Sequence, residues 1–299
     1  MELHSKEKIF ITGINGFTGK HLEAYLVKNN YNVFGTVLGN SLNKNHFCCD
    51  ILDENQLFEI LNQIKPTYVV HLAAISFVAS KNQQNMYNVN IFGTINLINA
   101  IERLDYKPKK ILIASSAAIY GNIEGELNEQ MCPAPVNHYG NSKLVMENML
   151  KSYFINQNII ITRPFNYTGL GQEGHFLIPK IISHYKQKKD IIELGNIDVF
   201  REFNNVDYVI KCYIELLFSD YKSEVVNVCT GNELSINNIL DKISLIAGYR
   251  IQVKVNPEFV RKNEVKILKG SVDKLHGMIG DFTEDYGIER TLEEMLKEK

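Results

Sequence analysis

Short apolar runs alternate with longer stretches of helical periodicity through the first half of the chain. Runs rich in Val, Ile and Leu, as in buried parallel strands, lie at residues 8–12, 67–72 and 110–115. Between them, residues 53–64 and 86–101 repeat apolar side chains at the spacing of one helix face. This alternation predicts an α/β fold built on a doubly wound parallel (Rossmann) sheet.

A glycine-rich turn follows the first predicted strand. Residues 10–19 read F-I-T-G-I-N-G-F-T-G, and a helical stretch comes directly after them. Glycines three residues apart allow a tight turn, a close approach of backbone N–H groups to a pyrophosphate, and close packing of the helix on the sheet. The start of the helix also presents its dipole to an anion. The turn is therefore predicted to bind a dinucleotide through Gly13, Asn15, Gly16, Phe17, Thr18 and Gly19.

The alternation breaks after about residue 163, where a loop-rich region begins. An apolar strand pattern returns near residues 224–229. We therefore expect a dinucleotide-binding domain at 1–165 with a returning segment at about 201–230. A smaller C-terminal substrate-binding lobe is expected from residues 166–200 and 231–299.

Composition narrows the function classes. The 299 residues are 45% hydrophobic, which is enough for one large core or two smaller ones. A net charge of −2 gives no basic excess, and no apolar run is long enough to cross a bilayer, so neither nucleic acid nor a membrane is an expected partner. The N-terminal stretch has no apolar signal core, and we expect a cytoplasmic protein. Five cysteines without paired spacing predict neither a disulfide framework nor a metal site.

A tyrosine and a lysine four residues apart form the second informative pattern. Tyr139 and Lys143 share one face of a predicted helix, and Ser116 stands at the end of a predicted strand. An ammonium group beside a phenol favours the phenolate, which makes the phenol a usable acid or base. A serine hydroxyl would hold a reacting carbonyl oxygen in line with that phenol. Ser116, Tyr139 and Lys143 are therefore the candidate catalytic residues.

Five segments, in order, resemble the extended short-chain dehydrogenase/reductases that act on sugar nucleotides, the NAD-dependent epimerase/dehydratase family. They are T-G-I-N-G-F-T-G at 12–19, H-L-A-A-I-S at 71–76, N-I-F-G-T-I-N-L at 90–97, Y-G-N-S-K at 139–143 and R-P-F-N at 163–166. The resemblance extends over nearly the whole chain. It implies that Ser116, Tyr139 and Lys143 are the catalytic trio.

The same resemblance implies which residues hold the dinucleotide. Asp50 and Ile51 would flank the adenine, and Phe165 would lie in the loop on the nicotinamide side. The cofactor would be lined by Leu72, Ala73 and Ala74, with Tyr139 and Lys143 beside it.

Within the family, the chain looks most like reductases of GDP-4-keto-6-deoxy-mannose, the enzymes that make GDP-rhamnose. The similarity lies in residues 163–172, 194–203, 226–231, 261–265 and 269–271. It implies a nucleotide-sugar substrate whose diphosphate needs cations, with Arg suited to bidentate contact. The candidate substrate contacts are Ser76, Asn166, Lys180, Arg201, Arg261 and Glu264. The family's R-D-F element departs here to Arg-Glu-Phe at 201–203.

Other activities compete with reduction. Sugar nucleotide dehydratases carry acidic or hydroxyl residues after the strand-end serine, where this chain has Ala117 and Ala118. Eliminating water needs a base and an acid at that place, so a GDP-mannose 4,6-dehydratase is disfavoured. Sugar nucleotide 4-epimerases often have the two alanines and need only the same trio, so a 4-epimerase is the alternative. A non-catalytic dinucleotide-binding protein is disfavoured because Tyr139 and Lys143 are both present.

The second predicted strand bears on the choice of cofactor. Val37 stands where NAD-binding relatives keep an acidic residue for the adenine ribose. The absence of a carboxylate removes repulsion against a 2′-phosphate, and Asn40, Ser41 or Lys44 are candidates to contact one. NADPH is therefore favoured over NADH, with dual use open. The family resemblance also implies a homodimer.

Overall fold

The alternating pattern of the sequence reappears as alternating strands and helices. The computed structural model describes residues 7–76, 82–260 and 265–298. The strands in these ranges are β1 (Lys8–Thr12), β2 (Asn32–Val37), β3 (His46–Cys48), β4 (Tyr68–His71), β5 (Lys110–Ala114), β6 (Gly125–Leu127), β7 (Ile159–Pro164), β8 (Tyr167–Thr168), β9 (Ile191–Leu194), β10 (Phe200–Glu202), β11 (Asn204–Asn205), β12 (Glu224–Val228), β13 (Glu233–Ser235), β14 (Gln252–Val255) and β15 (Ile267–Gly270).

The α-helices in the same ranges are α1 (Phe17–Lys28), α2 (Glu54–Ile64), α3 (Gln83–Tyr87), α4 (Thr94–Glu102), α5 (His138–Leu150), α6 (Leu177–Lys186), α7 (Val206–Phe218), α8 (Ile236–Ala247), α9 (Asp273–Ile279) and α10 (Ile288–Lys297). A π-helical segment spans Asn88–Gly93, and short 3-10 helices lie at Ala117–Tyr120, Lys151–Tyr153, Pro257–Phe259 and Thr283–Tyr286.

The described residues group into two compact units. The first takes its residues from the ranges Met1–Gly121, Pro133–Arg163 and Ile210–Val226. The second takes its residues from Asn122–Cys132, Pro164–Val209 and Asn227–Lys299. This division differs from the expected bounds at residues 122–132, 164–165, 201–209 and 227–230. The reason is strand pairing, because β6 pairs with β15 and β10 pairs with β13 and β15 inside the second unit.

The first unit contains the predicted Rossmann sheet. Seven strands lie in the order β12-β7-β5-β4-β1-β2-β3, and the pairings among β1, β2, β3, β4, β5 and β7 are parallel. Ile9, Phe10 and Ile11 of β1 are fully buried, as expected for a central strand covered on both faces. One face packs against α2 and α4 through side chains that include Leu57 and Leu97. Each such side chain stabilises the fold by roughly 1.5–3 kcal/mol.

The second unit combines a four-stranded sheet, in the order β13-β10-β15-β6, with two two-stranded sheets. Its core is formed largely by apolar faces of α6, α8 and α10, with Ile181, Ile239 and Leu292 fully buried. No helix within the described residues combines the length and hydropathy needed to cross a membrane.

Candidate active site

The glycine-rich turn between β1 and α1 has the geometry of a phosphate cradle. Gly13 has a φ of 69°, and a Cβ added there would lie 2.9 Å from the backbone N of Ala73. Any larger residue would therefore be strained and would clash. Gly16 precedes α1 in extended conformation and offers no side-chain cap, and the first turn of the helix has no acidic residue. These features fit the pyrophosphate of a dinucleotide.

A buried hydrogen-bond chain supports this turn from below. The Thr12 hydroxyl accepts the N–H groups of Leu72 and Ala73, both at 3.2 Å. Its own proton is then directed to Nδ1 of His71 at 2.7 Å. Nε2 of His71 therefore carries the ring proton and donates it to the Thr94 hydroxyl at 2.9 Å. The chain joins the ends of β1 and β4 to the start of α4, and no local sequence pattern indicates it.

This chain requires a neutral imidazole. Burial, together with the positive charge of Lys143, lowers the pKa of His71 to about 3. In an unfolded chain the same ring titrates near 6.5. The unfolded state therefore binds more protons than the native state between these two values. His71 contributes its full stabilisation above pH 6.5 and loses it progressively as the pH falls toward 3.

We predict that His71→Gln makes the protein less sensitive to acid. An amide can accept from Thr12 and donate to Thr94 but does not titrate. When the pH is lowered from 7 to 5, the wild type should lose about 2 kcal/mol of unfolding free energy through His71. The variant should not lose this amount. Urea unfolding at both pH values measures the difference. His175→Gln, at an exposed position, is the control, and an equal acid loss in wild type and His71→Gln would contradict the prediction.

Asn90 holds the segment that leads to Ser76. It is fully buried in the π-helical segment, and its Oδ1 accepts the N–H of Ile75 at 2.8 Å. Its Nδ2 donates to the Ile75 carbonyl at 3.1 Å and to Oγ of Ser142 at 3.0 Å. One amide therefore links this segment to α5. Ser76, a predicted substrate contact, follows directly and is exposed.

The predicted Tyr139 and Lys143 both lie on α5, one turn apart. The helix begins after Asn137, whose Oδ1 accepts the N–H of Gly140 at 2.8 Å. Lys143 is 3% exposed, and its Nζ donates to the carbonyl of Ala114, the last residue of β5, at 2.7 Å. Tertiary packing therefore joins this helix to the strand that leads to the predicted serine.

Ser116 lies on the segment that packs against the same helix. It caps the 3-10 helix Ala117–Tyr120, and its Oγ accepts the N–H of Ala118 at 3.1 Å. A Cβ on Gly140 would lie 2.5 Å from the Ala118 carbonyl oxygen. Only glycine permits this approach next to Tyr139. The structure thus brings the segments carrying Ser116, Tyr139 and Lys143 together.

The ammonium group of Lys143 is poised electrostatically. Burial lowers its pKa to about 8, although the negative charge of Glu147 opposes this shift. The ammonium form is consequently retained at neutral pH in a dry environment. A positive charge in low dielectric stabilises a nearby phenolate more strongly than it would in water.

The residues predicted to meet the adenine lie beyond β2 and β3. Asp50 accepts the N–H of Leu52 through Oδ1 at 3.0 Å, and Ile51 is 6% exposed. Val37, at the position of the missing carboxylate, is buried, whereas the next residue, Leu38, is exposed. Leu72, Ala73 and Ala74 form the segment directly after β4, next to the glycine turn.

Several predicted substrate residues lie in the second unit. Nζ of Lys180 donates to the Glu193 carbonyl at 2.8 Å and lies 4.7 Å from the centre of the Phe259 ring. Arg201 donates through Nη1 to the Phe200 carbonyl at 2.7 Å and through Nη2 to the Val265 carbonyl at 3.0 Å. Both cations are therefore held in defined positions by main-chain oxygens.

Two further predicted contacts in this unit, Phe165 and Asn166, directly follow Pro164. Asn166 is exposed, and its carbonyl accepts the N–H of Asn204 at 2.8 Å. Phe165 is 2% exposed, and Gly270 lies against its ring. Arg261 and Glu264 fall outside the described residues.

Known proteins resemble this chain over nearly its whole length. A family model described as GDP-mannose 4,6 dehydratase matches residues 10–295. The GDP-6-deoxy-D-talose 4-dehydrogenase of Aggregatibacter actinomycetemcomitans is 35% identical over 98% of each chain. The GDP-6-deoxy-D-mannose reductase of Pseudomonas aeruginosa is 30% identical over 92% of this chain and 91% of its own.

A solved structure shows the same architecture. The structure of RMD from Pseudomonas aeruginosa complexed with NADPH superposes with a TM-score of 0.85 at 29% identity, covering 98% of this chain and 97% of that one. The phosphate cradle, the Tyr-x-x-x-Lys helix and these full-length likenesses lead to one conclusion. The chain belongs to the extended short-chain dehydrogenase/reductase family, whose members are NAD(P)-dependent oxidoreductases.

Proposed function

We propose that the protein reduces the C4 keto group of a nucleotide-linked 4-keto-6-deoxy sugar with NAD(P)H. The proposed substrate is GDP-4-keto-6-deoxy-mannose, and the proposed product is GDP-rhamnose. The observation that carries the proposal is the composition of the site. Tyr139 and Lys143 lie one turn apart on α5, while Ser116 is followed by two alanines.

These residues suffice for carbonyl reduction. NAD(P)H, held by the glycine-rich turn and the segment after β4, would supply the hydride for C4. The Tyr139 phenol gives its proton to the developing oxyanion, and the Lys143 ammonium lowers the cost of the phenolate that remains. The Ser116 hydroxyl donates a hydrogen bond to the same oxygen and holds the carbonyl in place.

The same composition argues against dehydration. Elimination of water requires an acid and a base beside C5 and C6 of the sugar. Ala117 and Ala118 occupy the positions where dehydratases carry such groups, and methyl groups transfer no protons. The match to a dehydratase family model therefore reflects common ancestry and fold, while the chemistry of this site supports reduction.

The substrate's nucleotide needs groups outside the trio. A diphosphate is bound best by cations that are already held in place, because less side-chain entropy is then lost on binding. Arg201 and Lys180, both anchored by backbone carbonyls, meet this description. Asn166, Ser76, Arg261 and Glu264 complete the proposed substrate contacts.

The test is cofactor oxidation with a defined sugar. Purified protein mixed with NADPH and GDP-4-keto-6-deoxy-mannose should lose the absorbance of the reduced cofactor in proportion to product formed. No loss with this substrate, in protein that binds NADPH, would overturn the proposal. A 4-epimerase, the alternative, would interconvert two sugar nucleotides without net cofactor consumption.

A second product follows from the relatives. GDP-6-deoxy-talose and GDP-rhamnose differ only in configuration at C4, so hydride delivery to opposite faces of one ketone yields one or the other. The 35% identical relative is named for the talose sugar. NMR of the purified product assigns the configuration, and a talose product would keep the reaction class while changing the stereochemistry.

For the cofactor, we infer a preference for NADPH over NADH. Glu23 of α1 is a carboxylate that contacts the segment after β2. Its Oε1 is bonded by Nε2 of His46 at 2.7 Å and by Nδ2 of Asn43 at 3.4 Å. These contacts occupy that carboxylate oxygen. Asn40 and Lys44 lie exposed in the same segment, where a cation would attract a 2′-phosphate.

We predict that Lys44→Ala raises the KM for NADPH by about tenfold and leaves the KM for NADH unchanged. Loss of one charge-assisted contact to phosphate is of this size. Initial rates with each cofactor measure the effect. Lys28→Ala, at the C-terminal end of α1, is the matched control and should change neither KM. Equal effects on both cofactors would remove Lys44 from phosphate recognition.

We also propose that the protein assembles as a homodimer. Val145 and Met149 lie one turn apart on α5 and are 41% and 37% exposed, and Phe92 of the π-helical segment is 54% exposed. By contrast, Met86 of α3 and Leu97 of α4 are fully buried in the core. Val145→Glu should yield monomers in analytical ultracentrifugation if the proposal is correct.

A further inference from the structure

Glu147 and Arg163 form a buried ion pair that is separate from the proposed reacting groups. The Glu147 side chain is fully buried and Arg163 is 4% exposed. Nη2 of Arg163 donates to Oε2 of Glu147 at 2.6 Å, and Nε donates to Oε1 at 3.0 Å. Nη1 donates to the Tyr120 hydroxyl at 2.9 Å. Burying both charges is costly unless geometry and hydrogen bonds compensate, as they do here.

The two ends of this network belong to the two segments that carry the candidate catalytic groups. Glu147 lies one turn beyond Lys143 on α5, on the same helix face as Tyr139. Tyr120 ends the 3-10 helix that Ser116 caps. Arg163, near the end of β7, is therefore a rigid bridge between the serine segment and the tyrosine helix.

The guanidinium is well suited to this role. Its planar donors engage Glu147 along one edge and Tyr120 through the remaining nitrogen, which fixes the direction of both partners. The cation also lies 5.2 Å from the centre of the Tyr120 ring. Lysine would offer neither the fork nor the planar contact.

We propose that Glu147, Arg163 and Tyr120 are positioning residues that hold Ser116 in register with Tyr139 and Lys143. The inference rests on the catalytic roles of the proposed function. A serine hydroxyl must meet the same carbonyl oxygen as the phenol, and a misplacement of about 1 Å costs about 10²-fold in rate. The direct bond from Lys143 to the Ala114 carbonyl positions the strand before Ser116, and the Tyr120 contact positions the helix after it.

The test is a double-mutant cycle between Tyr120→Phe and Ser116→Ala. Tyr120→Phe removes one hydroxyl and keeps the ring. We expect it to lower kcat by about tenfold with little change in KM, since the substrate contacts are intact. In the Ser116→Ala background the same change should cost less than about twofold, because no hydroxyl remains to be positioned. Equal losses in both backgrounds, or no loss in either, would overturn the proposal.

Tyr208→Phe is the matched control. Tyr208 is 1% exposed, and its hydroxyl donates to the Cys229 carbonyl at 2.7 Å within the second unit. Removing this hydroxyl also removes a hydrogen bond from a buried carbonyl, so it should lower stability by a similar amount. Its turnover should stay within about twofold of wild type. A tenfold loss in this control would show that the Tyr120 effect is general destabilisation and would overturn the positioning role.

A substrate-free measurement separates this inference from the proposed function. The amides of Ala118, Ile119 and Gly121 are bonded within the Ser116 segment. Their hydrogen exchange in the protein alone should accelerate by about tenfold in Tyr120→Phe and not in Tyr208→Phe. Unchanged exchange overturns the positioning role whatever the turnover. Faster exchange in protein whose wild type is inert toward the sugar would instead overturn the proposed function alone.

Discussion

Tyr139→Phe is expected to reduce turnover by about 10²-fold or more while leaving cofactor binding intact. The change removes only the phenolic oxygen, which is the proposed proton donor to the sugar oxygen. The ring remains, so α5 and the Lys143 bond to Ala114 should be preserved. Steady-state kinetics give the turnover number, and a fluorescence titration with NADPH gives the dissociation constant.

The control for this prediction is a tyrosine that lies away from the proposed reacting atoms. Tyr153 follows α5, and its hydroxyl donates to Oδ1 of Asn99 at 3.3 Å. Tyr153→Phe should keep turnover within about twofold, as is usual for a weak contact away from the reacting atoms. Turnover of Tyr139→Phe close to that of wild type would remove Tyr139 from the mechanism.

Arg163→Met is expected to lower the free energy of unfolding by about 3–5 kcal/mol. It leaves the fully buried Glu147 carboxylate without its cation and removes the hydrogen bond from Arg163 to the Tyr120 hydroxyl. Denaturant unfolding monitored by circular dichroism measures the change. The double variant Glu147→Leu/Arg163→Met should recover most of the loss, because apolar replacement of both charges is often neutral.

An exposed ion pair provides the comparison. Arg290 and Glu294 are paired one turn apart on α10, with side chains 74% and 41% exposed. Arg290→Met should leave the free energy of unfolding unchanged within experimental error, since solvent screens such pairs. A small effect of Arg163→Met, similar to that of Arg290→Met, would show that water or rearrangement compensates the buried carboxylate.

Tyr139 and Arg163 affect different properties of one region. Tyr139 acts on the substrate, so its loss should appear in the rate and not in stability. Arg163 does not touch the substrate in the proposed mechanism, so its loss should appear first in stability. Lys143 links the rate and the stability, because it lies on α5 one turn from both Tyr139 and Glu147. Burial lowers its pKa to about 8, while the negative charge of Glu147 opposes this shift. A buried cation kept for chemistry is a common source of lost stability at enzyme sites.

Much of the fold and part of the candidate site were predictable from local pattern. The βα alternation predicted the parallel sheet, and the seven-stranded sheet of the first unit confirms it. The pattern did not predict that residues 122–132 contribute a strand to the second unit. That strand is three residues long, and only its pairing with β15 makes it a strand at all. Short edge strands carry little periodicity of their own.

The sequence alone determined the features that depend on neighbours along the chain. The glycine spacing of the turn and the four-residue step from Tyr139 to Lys143 are local, because one helix or one turn sets their geometry. Tertiary structure decided the rest, including the His71 chain, the hydrogen bonds of Asn90 and the Arg163 bridge to Tyr120, whose partners are 43 residues apart. A buried polar group must find a partner, but which one it meets depends on the strands that pairing makes adjacent. Periodicity and composition do not carry that information, so these contacts emerge only from the folded chain.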